Sequence, residues 1–540
     1  MNLLGNAPSR QRRDFYLSEV SERVLAEFKE DLKRDSFLSL EVIINDALYQ
    51  EQDRLKREKS TVENEDARRF WSDIGRNFLN GDDAEREILL RRIITRYVEE
   101  IHGSFNPRLH GMVARVVPWL LKGVLNKVSP ASVLTWASDK LSLEDNLVIS
   151  GPLDEIRSLA GKGTLIMAPT HSSNLDSVAI GMGLYLSRLP PFTYGAGLNL
   201  YTNPVISYFL NNLGAYKVDR RKKNEIYKTT LKQYATLSME QGEHNLFFPG
   251  GTRNRRGDIE QHLKLGLLGC GVRVYVRNLV NANPKPDLFV VPVNLSYGLV
   301  LEAKTLIEDY LKEEGKGRFI RAREKKGSLM RMLDFWRNLT RMHSKVHLHF
   351  GEPIDLFGNR VDAEGNSRDN RHRVIDRKKY VLENGRPAHV PQRDQEYTRE
   401  LGRSLVQAYL RNNIILSTHA LSFAAFHLIR KRNPAFDLYR LLRTEGPETG
   451  IEKATVLLSL GRLKSGLIAL ADLGRLQIDS TLKEGDAETL FTTAMAHFST
   501  FHDGRTLKCE RGKVYSEDMK LLYYYRNHLD HYPLERYLEP

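Results

Sequence analysis

From about residue 136 to about residue 360, short apolar runs alternate with stretches of helical spacing, and this alternation limits the fold more than any other property of the chain. The runs are Thr164–Ala168, Ala215–Val218, Asn245–Phe248, Leu288–Tyr297 and Val346–Phe350, each bounded by glycine, proline or polar residues. Apolar runs of this length, punctuated in this way, read as buried strands. Strands separated by helices call for an α/β core, here a mixed sheet with covering helices. Residues 1–135 are charged and helical in pattern, with Val20, Val24, Leu25, Phe28 and Leu32 at helical spacing. Residues 361–397 are polar and read as a linker or excursion, and residues 398–540 as a helical C-terminal region. A chain of 540 residues has ample length for two or more such units.

The first of these strands runs into the most informative local pattern, Met167-Ala-Pro-Thr-His-Ser-Ser-Asn-Leu-Asp-Ser177. His171 is a base with a candidate orienter, Asp176, five positions on. On a regular helix five residues turn through about 140°, so the two would not share a face. They meet if His171 sits in a strand-to-helix turn and Asp176 in the first helical turn. Ser172, Ser173 and Asn174 suit that boundary as caps for exposed N–H groups. Asp176 then holds the imidazole in one tautomer and leaves the other nitrogen free to take a proton.

Further blocks come downstream in a definite order. Gly214-Ala-Tyr-Lys-Val-Asp-Arg220 ends a strand in arginine, and Phe248-Pro-Gly-Gly-Thr-Arg253 carries another strand into a glycine turn. Lys264 comes next, and Val291-Pro292 lies within the apolar run 288–297. Together with the histidine block, these resemble the four blocks of the glycerolipid acyltransferases, the glycerol-phosphate and lysophosphatidate acyltransferase superfamily, over roughly residues 140–355. The family's blocks are His-x-x-x-x-Asp, Gly-x-x-x-x-x-Arg, Phe-Pro-Glu-Gly-Thr-Arg and Val-Pro-hydrophobic. The resemblance implies a base at His171 with Asp176, and substrate contacts from Arg220, Gly251, Thr252, Arg253, Lys264 and Pro292. It departs at one position: Gly250 stands where the family has a glutamate that helps to hold the acceptor.

The implied chemistry is transfer of an acyl group from a thioester, on coenzyme A or acyl-carrier protein, to a hydroxyl. It needs a base for that hydroxyl and donors for the tetrahedral oxyanion. Cations at strand ends suit a phosphorylated glycerol acceptor, and Gly250-Gly251 let the backbone come close. The long helical flanks look more like the glycerol-3-phosphate acyltransferases, which implies glycerol 3-phosphate as acceptor; the wording Val218-Asp-Arg220 and Gly251-Thr-Arg253 looks more like the lysophosphatidate acyltransferases, which leaves 1-acyl-glycerol 3-phosphate or another lysolipid as the alternative. A non-catalytic membrane-surface protein that keeps the fold is a further class. A serine hydrolase would need a Gly-x-Ser-x-Gly elbow, which is absent from the sequence.

The excess of 81 Lys and Arg over 68 Asp and Glu, a net +13, points to an anionic partner. No zinc-finger spacing, RNP-type motif or helix-turn-helix pattern supports nucleic acid, so an anionic membrane surface is expected instead. Two segments suit it. Val113–Lys127, around Trp119, reads as interfacial or as an ordinary packed helix. Lys316–Lys345 carries ten Lys and Arg among Leu329, Met330, Phe335 and Trp336. The opening residues lack the pattern of a signal peptide, and no run has the 18 or so apolar residues of a span; Ile414–Ile429 reads as a buried helix. The expected place is therefore the cytosolic face of a membrane, held peripherally. Cys270 and Cys509 are too few for a disulfide framework, and Cys270 reads as a structural thiol. His347 and His349 read as structural, so no metal and no cofactor are expected.

Overall fold

The computed structural model describes residues 9–34, 37–58, 62–80, 82–102, 147–197, 214–313, 345–443, 450–498 and 504–538. The segment around Trp119 and all of the basic stretch before Lys345 lie outside the described residues.

Four helices open the chain: α1 (Ser9–Arg34), α2 (Leu40–Arg57), α3 (Val62–Asn80) and α4 (Asp83–Ile101). Local capping starts two of them. The Ser39 hydroxyl accepts from the Val42 N–H, and Asp82 and Glu85 form a reciprocal capping box. The helical spacing in α1 is realised as burial: Val20 and Val24 are fully enclosed with Trp71, Ile74, Ile94 and Tyr97.

The core elements follow as β1 (Leu147–Ser150), α5 (Leu153–Ala160), β2 (Thr164–Pro169), α6 (Asp176–Leu186), β3 (Thr193–Gly197), β4 (Ala215–Val218), α7 (Glu225–Glu240), β5 (Asn245–Leu246), α8 (Leu268–Val280), β6 (Leu288–Tyr297), α9 (Ala303–Leu311) and β7 (Val346–Phe350). The seven strands stand in the order β1-β7-β6-β2-β5-β3-β4. Strands β6, β2, β5, β3 and β4 are mutually parallel, and β7 joins β6 antiparallel while pairing parallel with β1. The expected mixed sheet with covering helices is thus what forms. Every residue of β2 and β6 is buried, as a strand covered on both faces requires. Pro292 sits inside β6 opposite Ala168, and its carbonyl accepts from the Gly351 N–H.

The N-terminal helices are joined to this core through the edge strand β4 and helix α7, whose Tyr216, Ile226, Tyr227 and Tyr234 share their apolar cluster. A buried polar knot adds to it. The Lys222 ammonium bonds to Glu100 at 2.5 Å, lies over the Tyr97 ring, and approaches Glu51 at 3.8 Å. Residues 361–397, read as a linker or excursion, pack against the core. Short strands at 360–361, 367–368 and 374–375 form one sheet, and Tyr380 stacks on Phe357 while Arg377 pairs with Asp287.

The sequence boundary near residue 398 is not a packing boundary. Helix α10 (Pro391–Arg411) covers the sheet: the Tyr409 hydroxyl donates to the Ala168 carbonyl, and the Asn294 amide donates to the Tyr409 carbonyl. Helix α11 (Ser417–Arg432) is almost wholly buried and occupies most of the run Ile414–Ile429, as expected of a core helix. It packs with the helices Lys453–Asp472, Ala487–Phe498 and Met519–Arg526 in one apolar cluster continuous with the sheet. Among the described residues one helix, Lys453–Asp472, is long and apolar enough to cross a membrane; its Val456, Leu460, Leu463 and Leu467 are fully buried in that cluster.

Several histidines are enclosed. His349 bonds to Ser150 and Gln477, and the His244 imidazole accepts from the Leu165 N–H. Burial pushes His102, His244, His349 and His528 down to about 4. In the unfolded chain they protonate near 6.5. Between those values the unfolded state binds more protons, so stability falls as pH is lowered through that window. The thermal unfolding midpoint at pH 5 is expected to lie about 3 °C or more below that at pH 7, read by calorimetry.

Candidate functional site

The chain leaves β2 at Pro169, turns, and enters α6 at Asp176, which puts His171 in the turn and Asp176 at the first helical position. The two side chains meet as the spacing requires: His171 Nδ1 lies 2.8 Å from Asp176 Oδ2. Asp176 is fully buried, and His171 keeps a small exposed edge. The same Oδ2 accepts from the backbone N–H groups of Ser172 and Ser173 at 2.7 and 2.9 Å. Oδ1 accepts from the Tyr297 hydroxyl at 2.6 Å. The imidazole stacks on Phe248, centroids 4.2 Å apart. With Nδ1–H donated to Asp176, Nε2 is the nitrogen left to exchange a proton.

Of the expected caps, the Ser173 hydroxyl accepts from the Leu175 N–H at 3.2 Å, and carboxylates take the other N–H groups of the turn. Asp176 takes the N–H groups of Ser172 and Ser173, and Glu302 takes the Asn174 N–H and the Ser173 hydroxyl. Negative side chains at a helix start also meet the positive end of its dipole.

A cavity of about 240 Å³ opens on His171. Its walls include Tyr194, Arg220, Phe248, Thr252, Arg253, Arg255 and Leu306. The expected residues therefore divide. His171, Arg220, Thr252 and Arg253 line one cavity. Asp176 stands behind the imidazole. Gly251 makes the turn at φ +73°, a conformation glycine adopts at little cost. Lys264 is exposed on the outside of that turn, its side chain where a Cβ at Gly251 would lie. Neither Lys264 nor Pro292 is among the cavity's lining residues.

The charges in the cavity are unbalanced. Arg253 reaches Glu302 at 3.4 Å, and Arg255 pairs with Glu313. Arg220 has no carboxylate partner among the described residues. It is exposed to solvent on the cavity side; partial desolvation, and then repulsion from Arg253, lower its guanidinium from the ordinary value. Arg220 and Arg253 line the same cavity and repel each other, and guanidinium groups brought together in this way suit a divalent anion. The Arg220 loop is held from both sides: Asp219 binds Arg221, and Lys222 is seated in the knot with Glu100 and Glu51.

The C-terminal region, whose sequence offers no readable chemistry, supports the opposite wall. Arg256 pairs with Asp530, the Asn527 amide donates to the Arg256 carbonyl, and the Val300 N–H donates to the Tyr525 hydroxyl. The first two contacts hold the loop that carries Arg253 and Arg255, and the third holds the chain just after β6. Sequence reasoning misses Tyr297, Glu302 and Phe248 as site residues, because nothing in their own spacing ties them to residue 171.

The chain contains its own control for the motif. His389 and Asp394 repeat the five-residue spacing at the start of α10, with Nδ1 2.5 Å from Asp394 Oδ2 and the Val390 N–H bonded to the same oxygen. That pair lies outside the cavity, with Arg393 on its carboxylate. The dyad is thus a device that a second helix start in this chain also builds; the cavity and its arginines distinguish His171. Among the described residues no group of three or more His, Cys, Asp or Glu could hold a metal ion. Cys270 is buried and its Sγ points to the Lys232 and Gly266 carbonyls.

Removing the Tyr297 hydroxyl leaves a buried carboxylate oxygen short of a partner. Tyr297→Phe is expected to cost about 1.5–3 kcal/mol of stability, the usual range for a hydrogen bond to a charged group, measured by denaturant unfolding.

A family model described as Acyltransferase matches residues 152–296. Curated relatives include the glycerol-3-phosphate acyltransferase of Pseudomonas putida, 27% identical over 227 residues, covering 42% of this chain and 25% of that protein. The glycerol-3-phosphate acyltransferase of Aeromonas hydrophila is 27% identical over 356 residues, covering 65% of this chain and 38% of that protein. The chain thus spans about a quarter of the length of the first of these relatives. The solved 1-acyl-sn-glycerophosphate acyltransferase of Thermotoga maritima is 17% identical, over 53% of this chain and 78% of that one, with a TM-score of 0.24. The four blocks fall inside the matched stretch, and residues of the first three line the cavity. Residues 152–296 are thus similar to the acyltransferase family that this model describes.

Proposed function

We propose that this protein moves a fatty acyl group from an acyl thioester, on coenzyme A or acyl-carrier protein, to a hydroxyl of glycerol 3-phosphate. The observation that carries the reading is the meeting of one proton-accepting imidazole nitrogen with two arginines in a single cavity. The acceptor's phosphate lies between Arg220 and Arg253, and its hydroxyl faces His171 Nε2. As the hydroxyl oxygen attacks the thioester carbonyl carbon, Nε2 takes the proton, and Asp176 stabilises the imidazolium that forms. When the tetrahedral intermediate collapses, the carbon–sulfur bond breaks and the imidazolium returns the proton to the thiolate. An ester and a free thiol leave, and no covalent enzyme intermediate is required.

The small cavity and the relatives named glycerol-3-phosphate acyltransferase favour the small acceptor over a lysolipid. Purified protein with labelled acyl-CoA and a panel of glycerol 3-phosphate, 1-acyl-glycerol 3-phosphate and non-phosphorylated lysolipids tests this. Acylation confined to the non-phosphorylated lysolipids would overturn it. His171→Ala is expected to abolish transfer in a folded protein, and Asp176→Asn to lower it by several orders of magnitude. Arg220→Ala is expected mainly to raise the acceptor KM, by about tenfold to a hundredfold, as loss of a charge-assisted contact does.

The reading places the protein peripherally on the cytosolic face of an anionic membrane, supported by the net charge of +13 and the basic, aromatic composition of residues 316–345. High salt is expected to release it. Reversing Arg331, Arg337 and Arg341 should weaken binding to anionic vesicles in a sedimentation assay, by about 1 kcal/mol for each cation.

A further inference from the structure

Gly250 stands where the resembling family carries glutamate, and the space above it is not empty. A Cβ built on Gly250 would lie 2.2 Å from Glu260 Oε1, 2.4 Å from its Cδ and 2.5 Å from Oε2. A carboxyl group from ten residues downstream therefore occupies the place where a side chain at position 250 would begin. Gly250 is not at a positive φ, so space and not backbone conformation is what excludes a larger residue there.

Glu260 is 8% exposed, and its Oε2 is buried with no hydrogen-bond partner. The backbone of His171 hydrogen-bonds its carboxyl. The turn it touches, Phe248-Pro249-Gly250-Gly251, is closed by the Gly251 N–H on the Phe248 carbonyl and the Lys264 N–H on the Pro249 carbonyl. Phe248 in turn carries the stacked imidazole. Glu260 thus lies at the junction of the two backbones that aim the base, and it is not among the residues that line the cavity.

We propose that Glu260 is a positioning residue for His171: its carboxyl fills the space over Gly250 and joins the histidine turn to the glycine turn, in place of an acidic side chain at position 250. The proposal rests on His171 being the base of the acyl transfer. The group works in its neutral form. Burial pushes it up to about 8, and the nearby carboxylates of Asp176 and Asp258 push the same way, against the hydrogen bond from the His171 backbone. The buried Tyr409 of α10 also faces it, and no cation is among these neighbours. A neutral acid adds no negative charge beside the Asp176 carboxylate, and its hydroxyl can serve as a donor under the turn.

The test uses the full chain with Glu260→Ala, Glu260→Gln, Gly250→Ala and the double variant Gly250→Ala/Glu260→Ala. Thermal unfolding reads the shared space. Gly250→Ala should lower Tm when Glu260 is present and do so much less when residue 260 is alanine, a non-additive cycle. Kinetics read the positioning: Glu260→Ala should lower kcat at least tenfold with the acceptor KM unchanged. Glu260→Gln, neutral at every pH, should keep kcat at pH 7 and lose the inflection near pH 8 in the pH profile. An additive Tm cycle, or a folded Glu260→Ala protein with unchanged kcat and pH profile, would overturn the proposal. A raised acceptor KM at constant kcat would overturn it in favour of direct acceptor binding. If the unaltered protein transfers no acyl group, the functional reading fails, while the unfolding cycle still decides whether residues 250 and 260 share that space.

Discussion

The buried carboxylate of Asp176 is the constraint on which the rest of the site depends. An ionised group with no exposure to water costs several kcal/mol unless donors replace its hydration. Four donors do so here: the His171 imidazole, the N–H groups of Ser172 and Ser173, and the Tyr297 hydroxyl. They come from the β2–α6 turn and from the end of β6, so the sheet must bring these two strands side by side before the carboxylate is satisfied. The orientation of the imidazole follows from that closure.

Each wall of the cavity is fastened to a different part of the chain. The arginine after β4 is seated by the Lys222 knot with helices α2 and α4, and the loop beyond β5 is held by Arg256, Asn527 and Asp530. The flanking helical regions are therefore not appendages. They anchor the loops that bring Arg220 and Arg253 to one cavity, where the two guanidinium groups repel each other. The neutral Glu260 fits the same logic, since a third carboxylate beneath Asp176 and Asp258 would raise the electrostatic cost of the turn.

Much of the core is legible in the sequence because local rules and tertiary need agree there. The runs Thr164–Ala168 and Leu288–Tyr297 are predominantly apolar because both faces are covered, and the structure makes them the central pair of strands. His171 and Asp176 meet because a strand-to-helix turn is short enough for spacing alone to determine the contact. The sequence is less legible wherever the relevant neighbour lies far along the chain. Residues 361–397 are polar and look like a linker or excursion, yet Arg377 and Tyr380 find Asp287 and Phe357 across the fold. Order in sequence groups Lys264 with the arginines, but it emerges on the outer side of the Gly251 turn.

By itself, the sequence determined that an α/β sheet would form, that a histidine and an aspartate would share a turn at the end of one strand, and that glycines would follow the next. Strand period, turn chemistry and five-residue geometry are local properties, so they can be read without coordinates. Only the tertiary structure decided which cations face the imidazole, that Tyr297 and Glu302 complete the turn, and that Glu260 stands over Gly250. Those contacts span from 10 to 129 positions of sequence. They depend on strand order and loop anchoring, which arise when the whole chain buries its apolar surface, and no local pattern encodes them.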